Sequence, residues 1–110
     1  MSNGYDYKPI YAIFQARVAR PDEPATGGHD EDGDPLTLGN LAGVSCWEDR
    51  FAARDSLQRQ YTNMRNGTGE NARPIKNTLN DIGGYIKFEQ HGIVYIRWVA
   101  QLIFHPKNND

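Results

Sequence analysis

Residues 93–104 read IVYIRWVAQLIF and are apolar on both sides of an extended chain. Side chains of a strand alternate between two faces. The even positions are Val94, Ile96, Trp98, Ala100, Leu102 and Phe104, and the odd ones are Ile93, Tyr95, Arg97, Val99, Gln101 and Ile103. A strand apolar on both faces sits in the middle of a sheet that is covered on both sides. The rest of the chain must supply its neighbours and its covers.

One neighbour precedes it. Tyr85–Glu89 is a second β-rich run, separated from the long strand by Gln90-His91-Gly92. A two-residue loop at His91-Gly92 would pair Phe88 with Tyr95 and Ile86 with Arg97. A three-residue loop would pair Phe88 with Val94 and Ile86 with Ile96. The second choice gathers Ile86, Phe88, Val94, Ile96 and Trp98 on one face and puts Gly92 at a left-handed bulge position, so it is the expected one. Another neighbour opens the chain. Ile10 to Arg20 alternates as a strand does, with Pro9 before it and Pro21 after it. It is expected to pair with the long last strand, which becomes central.

Helical signals fill the middle. Ser45-Cys46-Trp47-Glu48 has the S-x-x-E form of a capping box. Trp47, Phe51, Leu57, Tyr61 and Met64 follow on one stripe, and Gly67 is a natural stop. This predicts a helix from Cys46 to about Asn66. Pro74 suits the first turn of a second, short helix carrying Ile75, Leu79 and Ile82. The 110 residues therefore predict one α+β domain over 1–110. It has two layers: a three-stranded antiparallel sheet with one long and one short helix on one face, in the order β-loop-α-α-β-β. Trp47 and Trp98 are expected in its core.

Those helices can cover one face only. The other would show Tyr11, Ile13, Tyr95, Arg97, Val99 and Ile103. A patch of that size is uncommon on a free monomer, so it is expected to be covered by the Leu36–Val44 segment docked through its leucines, by another copy, or by a partner, and these residues are candidates for contact with a partner.

The second candidate is a loop. Residues 21–43 are rich in glycine and proline, hold six of the chain's fourteen acidic residues, and form a connection longer than usual. Over 21–49 the charge is −8, with no Lys or Arg, whereas residues 50–76 carry +4. Asp30, Glu31, Asp32 and Asp34 are the loop's candidate binding residues, able to meet a basic site on another protein. They do not form an EF-hand: with Asp30 first, position 6 is Pro35 and position 12 is Leu41.

Other chemistry finds little support. Cys46 is the sole cysteine, so neither an internal disulfide nor a Cys-only metal site can form, and a reducing compartment is the simple reading. His29, His91 and His105 show no ligand-like spacing. The motifs of phosphate loops, dinucleotide folds and hydrolases are missing. Arg50, Arg54, Arg65, Arg73 and Lys76 surround the helix, yet the pI near 5.9 and the adjoining acid argue against nucleic acid. No apolar run reaches the length of a membrane span, and the amino-terminal residues lack the features of a signal peptide. The chain is therefore expected to be cytoplasmic, without metal or cofactor. The expected function is non-enzymatic: a small protein-binding or assembly protein that acts through its second sheet face and acidic loop. Its partner is a further copy of itself, or a larger protein on which it docks as an accessory or inhibitor. The alternative is a domain that binds a small ligand or divalent metal through the acidic loop.

Overall fold

The computed structural model describes residues 9–102. Five strands form one antiparallel sheet: β1 (Ile10–Arg17), β2 (Asn40–Trp47), β3 (Arg73–Asn77), β4 (Tyr85–Gln90) and β5 (Ile93–Leu102). Their order is β2-β1-β5-β4-β3, so β5 is central and pairs with β1 on one side and β4 on the other. The only helix among the described residues is α1 (Arg50–Asn66). The expected three-stranded sheet with two helices is thus corrected to five strands and one helix. Ile103 and the residues after it lie outside the described residues.

Three local signals account for the difference. The S-x-x-E sequence at Ser45 is not a cap, because Ser45, Cys46 and Trp47 end strand β2. The helix is capped one turn later by Asp49, whose carboxylate accepts from the Phe51 amide at 2.9 Å. Pro74 does not open a second helix. It lies in edge strand β3, where a missing N–H is tolerated. The third signal is the hairpin turn. Gln90 pairs with Ile93, so the loop has two residues, and His91 (φ 53°) and Gly92 (φ 78°) both take the left-handed conformation of a type I′ turn. The expected three-residue loop is therefore corrected by one position.

That one-residue change exchanges the faces of β4 relative to β5. Ile86 and Phe88 now share a face with Tyr95, Arg97, Val99 and, across β1, Ile13. This is the face that α1 covers. Leu57 and Met64 of α1 pack on Ile13, Ile86 and Phe88, with Tyr61, Trp47, Tyr95 and Val99 around them. Leu57, Ile86 and Phe88 are fully buried, and each contributes about 1.5–3 kcal/mol of apolar burial. The helix suits this position. Ala53 and Leu57 fall one turn apart on its inner side, its interior lacks Gly and Pro, and Gly67 (φ 72°) ends it in a left-handed cap.

The opposite face carries Ala16, Tyr85, Ile96, Phe14 and Trp98. It is covered by the long acidic loop. Leu36 packs on Ala16, Tyr85 and Ile96, and a β-carbon on Gly39 would lie 2.7 Å from the Trp98 ring, so the loop approaches at a distance only glycine allows. Trp47 and Trp98 sit on opposite faces and do not meet.

Candidate functional site

The acidic loop is held by its own chain. Residues 27–37 double back as a narrow ribbon, with Gly27 N–H donating to the Leu36 carbonyl and Leu36 N–H to the Gly28 carbonyl, both at 2.8 Å. Thr37 and Ala19 tie this ribbon to the end of β1. At its tip the Asp30 carboxylate accepts from the amides of Asp32 (2.9 Å) and Asp34 (2.8 Å), a fold that aspartate favours in turns. The three carboxylates then converge on one ammonium. Lys87 Nζ donates to Asp30 at 2.8 Å, to Asp34 at 2.9 Å and to Asp32 at 3.1 Å. The other oxygen of Asp32 takes Lys76 Nζ at 2.8 Å. Lys76 and Lys87 are direct cross-strand neighbours, so Asp32 offsets a repulsion built into the sheet.

The electrostatics follow from burial. The side chains of Lys87 and Asp30 are 6% and 1% exposed. Burial opposes ionisation of Asp30, but the Lys87 ammonium and the Asp34 and Asp32 amides outweigh it and hold its pKa below the usual carboxylate value. Burial likewise opposes the charge on Lys87, and the three carboxylates outweigh it, raising its pKa. The centre that a divalent cation would need is thus filled by an internal cation. Among the described residues no group of three His, Cys, Asp or Glu side chains is arranged to hold a metal ion. Of the loop residues expected to meet a partner, Asp30, Asp32 and Asp34 therefore face Lys87, while Glu31 is exposed.

The expected apolar patch is also enclosed. Tyr11, Ile13, Tyr95, Arg97 and Val99 share one sheet face, as their alternation implied. That face lies beneath α1, with Ile13 and Arg97 buried and Tyr11, Tyr95 and Val99 partly so. Arg97 is tied to the layer above it. Its guanidinium pairs with Glu70 through two bonds (2.6 and 3.0 Å), donates to Gln60 (2.8 Å) and Gln15 (2.7 Å), and lies 4.7 Å from the centre of the Phe88 ring. Each face of the sheet thus hides one cation: Lys87 is neutralised by the acidic loop that covers its face, and Arg97 by Glu70 on the connector that follows α1.

What stays open is an edge. Among the described residues the sheet ends in two strands with unpaired outer backbone, β2 and β3. Exposed edges invite pairing with another chain, and charges, proline and bulges are the usual guards. β3 has both Arg73 and Lys76, and Pro74 between them. β2 has neither charge nor proline, and the whole run 35–47 is uncharged. Its one guard is a bulge: Ala12 opposes Cys46 and Phe14 opposes Leu41, so residues 42–45 stand against Ile13 alone. Leu38 and Leu41, at 73% and 47% exposed, lie at the start of this edge. Gly43 stands at its middle, where an added β-carbon would meet nothing within 4 Å. Cys46, expected at a helix start, is exposed on the same strand. The uncharged run was visible in the sequence, but assigning Ser45 to a helix cap concealed that it is an edge strand.

No protein-family model matches the chain, and neither a curated protein nor a solved structure matches it. No helix among the described residues is long and apolar enough to cross a membrane.

Proposed function

We propose that this protein is a non-enzymatic assembly protein whose copies join edge to edge through β2. One observation carries the reading: of the two sheet edges, β3 is guarded by Arg73, Pro74 and Lys76, while β2 is free of charge and proline. A further copy is favoured as the partner by symmetry. In a two-fold pairing each residue near the axis meets its own counterpart. A charged edge would repel itself there, and β2 carries no charge. Exposed Leu38 and Leu41 would add apolar contact beside the backbone bonds. The bulge takes up residues 42–45 and leaves Asn40–Leu41 and Cys46–Trp47 in register with β1.

The test is absolute mass by light scattering over a range of concentrations, on the wild type and on Gly43→Lys. A lysine at position 43 enters open space at a residue whose φ is not left-handed, so the monomer should keep its fold and melting temperature. The expected result is a dimer or larger species that Gly43→Lys reduces to a monomer. A wild-type monomer at every concentration would overturn the reading, as would an assembly indifferent to both Gly43→Lys and Leu41→Lys.

A further inference from the structure

We propose that the cleft at the amino-terminal end of α1 binds a small carboxylate with an apolar body. The cleft has a volume of about 230 Å³ and lies between the first turns of α1 and the connection 78–84 that joins β3 to β4. Tyr11, Phe51, Leu79 and Ile82 form apolar walls, and Arg50 and Arg54 supply positive charge. Among the described residues no acidic side chain lines it. The volume is below that of drug-sized pockets, which limits the ligand to a small body.

Arg50 stands where a helix least favours a cation. The amino terminus of a helix carries partial positive charge, so acids belong in its first turn and cations in its last. Here the first turn holds no acid and begins with Arg50. Departures from such local rules concentrate at functional sites. Both guanidiniums gather at Phe51, 5.3 and 5.5 Å from its ring centre. Arg54 already holds a carboxylate, that of Asp81 at 2.6 Å, with Asp55 at 3.3 Å. Arg50 donates to the Asp81 carbonyl at 3.1 Å, and no carboxylate among the described residues pairs with it. Among the described residues Arg50 is thus the cleft's one guanidinium without a carboxylate, and a ligand anion would supply one.

The apolar half is held in place before any ligand arrives. Ile82 is 83% exposed, so its apolar surface is available for a ligand to bury. The turn around it is fixed by Asn80, whose side-chain oxygen accepts from the amides of Ile82 and Gly83, both at 2.9 Å. The two arginines fasten the same turn to α1 through Asp81. A ligand therefore meets a formed hollow and loses little to ordering the protein. Its head would pair with Arg50, and its body would lie against Phe51, Leu79 and Ile82.

Hexanoate is the probe, with hexanol and inorganic phosphate as controls for body and charge. Binding is followed by amide chemical shifts of the full chain, for the wild type, Arg50→Gln and Ile82→Ser. Both substitutions are at exposed positions, and circular dichroism verifies the fold. Hexanoate should bind saturably, with shifts centred on residues 50–54 and 79–84. Arg50→Gln should weaken it about tenfold, the scale of one charge-assisted hydrogen bond, and Ile82→Ser should weaken it several-fold. Each control should bind at least about tenfold more weakly than hexanoate. No saturable shift, or equal binding of hexanoate with either control, would overturn the proposal. So would hexanoate binding unchanged by Arg50→Gln. Repeating the titration on Gly43→Lys keeps this outcome separate from that of edge-to-edge assembly.

Discussion

Replacing Lys87 by methionine would remove one ammonium and keep most of its aliphatic stem. The cost can be worked from the geometry. Breaking a buried ion pair by removing one partner costs about 3–5 kcal/mol, because the other charge is left uncompensated. Lys87 serves three carboxylates, but they are not equally dependent on it. Asp32 and Asp34 are 34% and 47% exposed, so water takes over their solvation. Asp30 is 1% exposed and would keep only the two backbone amides. The loss therefore rests on Asp30 and falls at the lower end, about 3 kcal/mol. For a domain of this size that is a drop in melting temperature of about 12–24 °C. Thermal and urea unfolding of Lys87→Met measure it. Combining Lys87→Met with Asp30→Asn removes both members of the buried pair, and an asparagine can still accept from the two amides. The double variant should recover at least about 1 kcal/mol relative to additive single losses. A loss below about 1 kcal/mol in Lys87→Met, or strict additivity, would refute the claim that this ammonium locks the loop.

Two further predictions concern acid and the helix cap. Glu23, bonded chiefly to Arg17, has its pKa lowered to about 2, and those of Asp30 and Asp32 are also lowered. Such groups stabilise the fold above their unfolded pKa, near 4, and that stability is lost as pH falls through their folded values. Urea midpoints should therefore decline steadily from about pH 4 toward pH 2, with a shallower slope in Asp30→Asn, and a flat profile would contradict the pairing. At the helix, Asp49→Ala should cost about 1 kcal/mol through the lost cap, whereas Ser45→Ala should leave the melting temperature unchanged; the reverse result would place the helix start one turn earlier.

Much of the frame was legible because it rests on alternation. The two-sided apolar run marked β5 as central, Ile10 onward marked β1, and Gly67 marked the end of α1. The missed elements are short and have local mimics. Ser45 to Glu48 imitates a cap within an edge strand, and Pro74 with Ile75, Leu79 and Ile82 imitates a helix across a strand and a turn. The hairpin register failed for a different reason. Apolar counting prefers the three-residue loop because the alternative buries Arg97 and Lys87. Their partners are Glu70, on a connector, and Asp30, more than fifty residues away, and no local window can reveal them. The rejected register would also have put both cations on one face. The observed register separates them, so each receives its own acid. The leucines did signal that the second half of the loop docks on the body, as Leu36 does, but the acidic tip and the odd face read as binding surfaces, although they are cover and core.

Ile10 pairs with Leu102, and the whole of β1 lies beside β5. The seam at the middle of the sheet thus joins the two ends of the described chain, across the 75 residues 18–92 that separate the two strands. Contacts this distant must overcome a large closure entropy before they contribute, which slows folding. On the ribosome, β1 emerges early and β5 late. Until β5 appears, β1 has only β2 to pair with, and neither layer can settle on its face of the sheet. The fold is therefore completed only after the central strand has been synthesised, and an interrupted chain would leave an unguarded strand pair exposed to its neighbours.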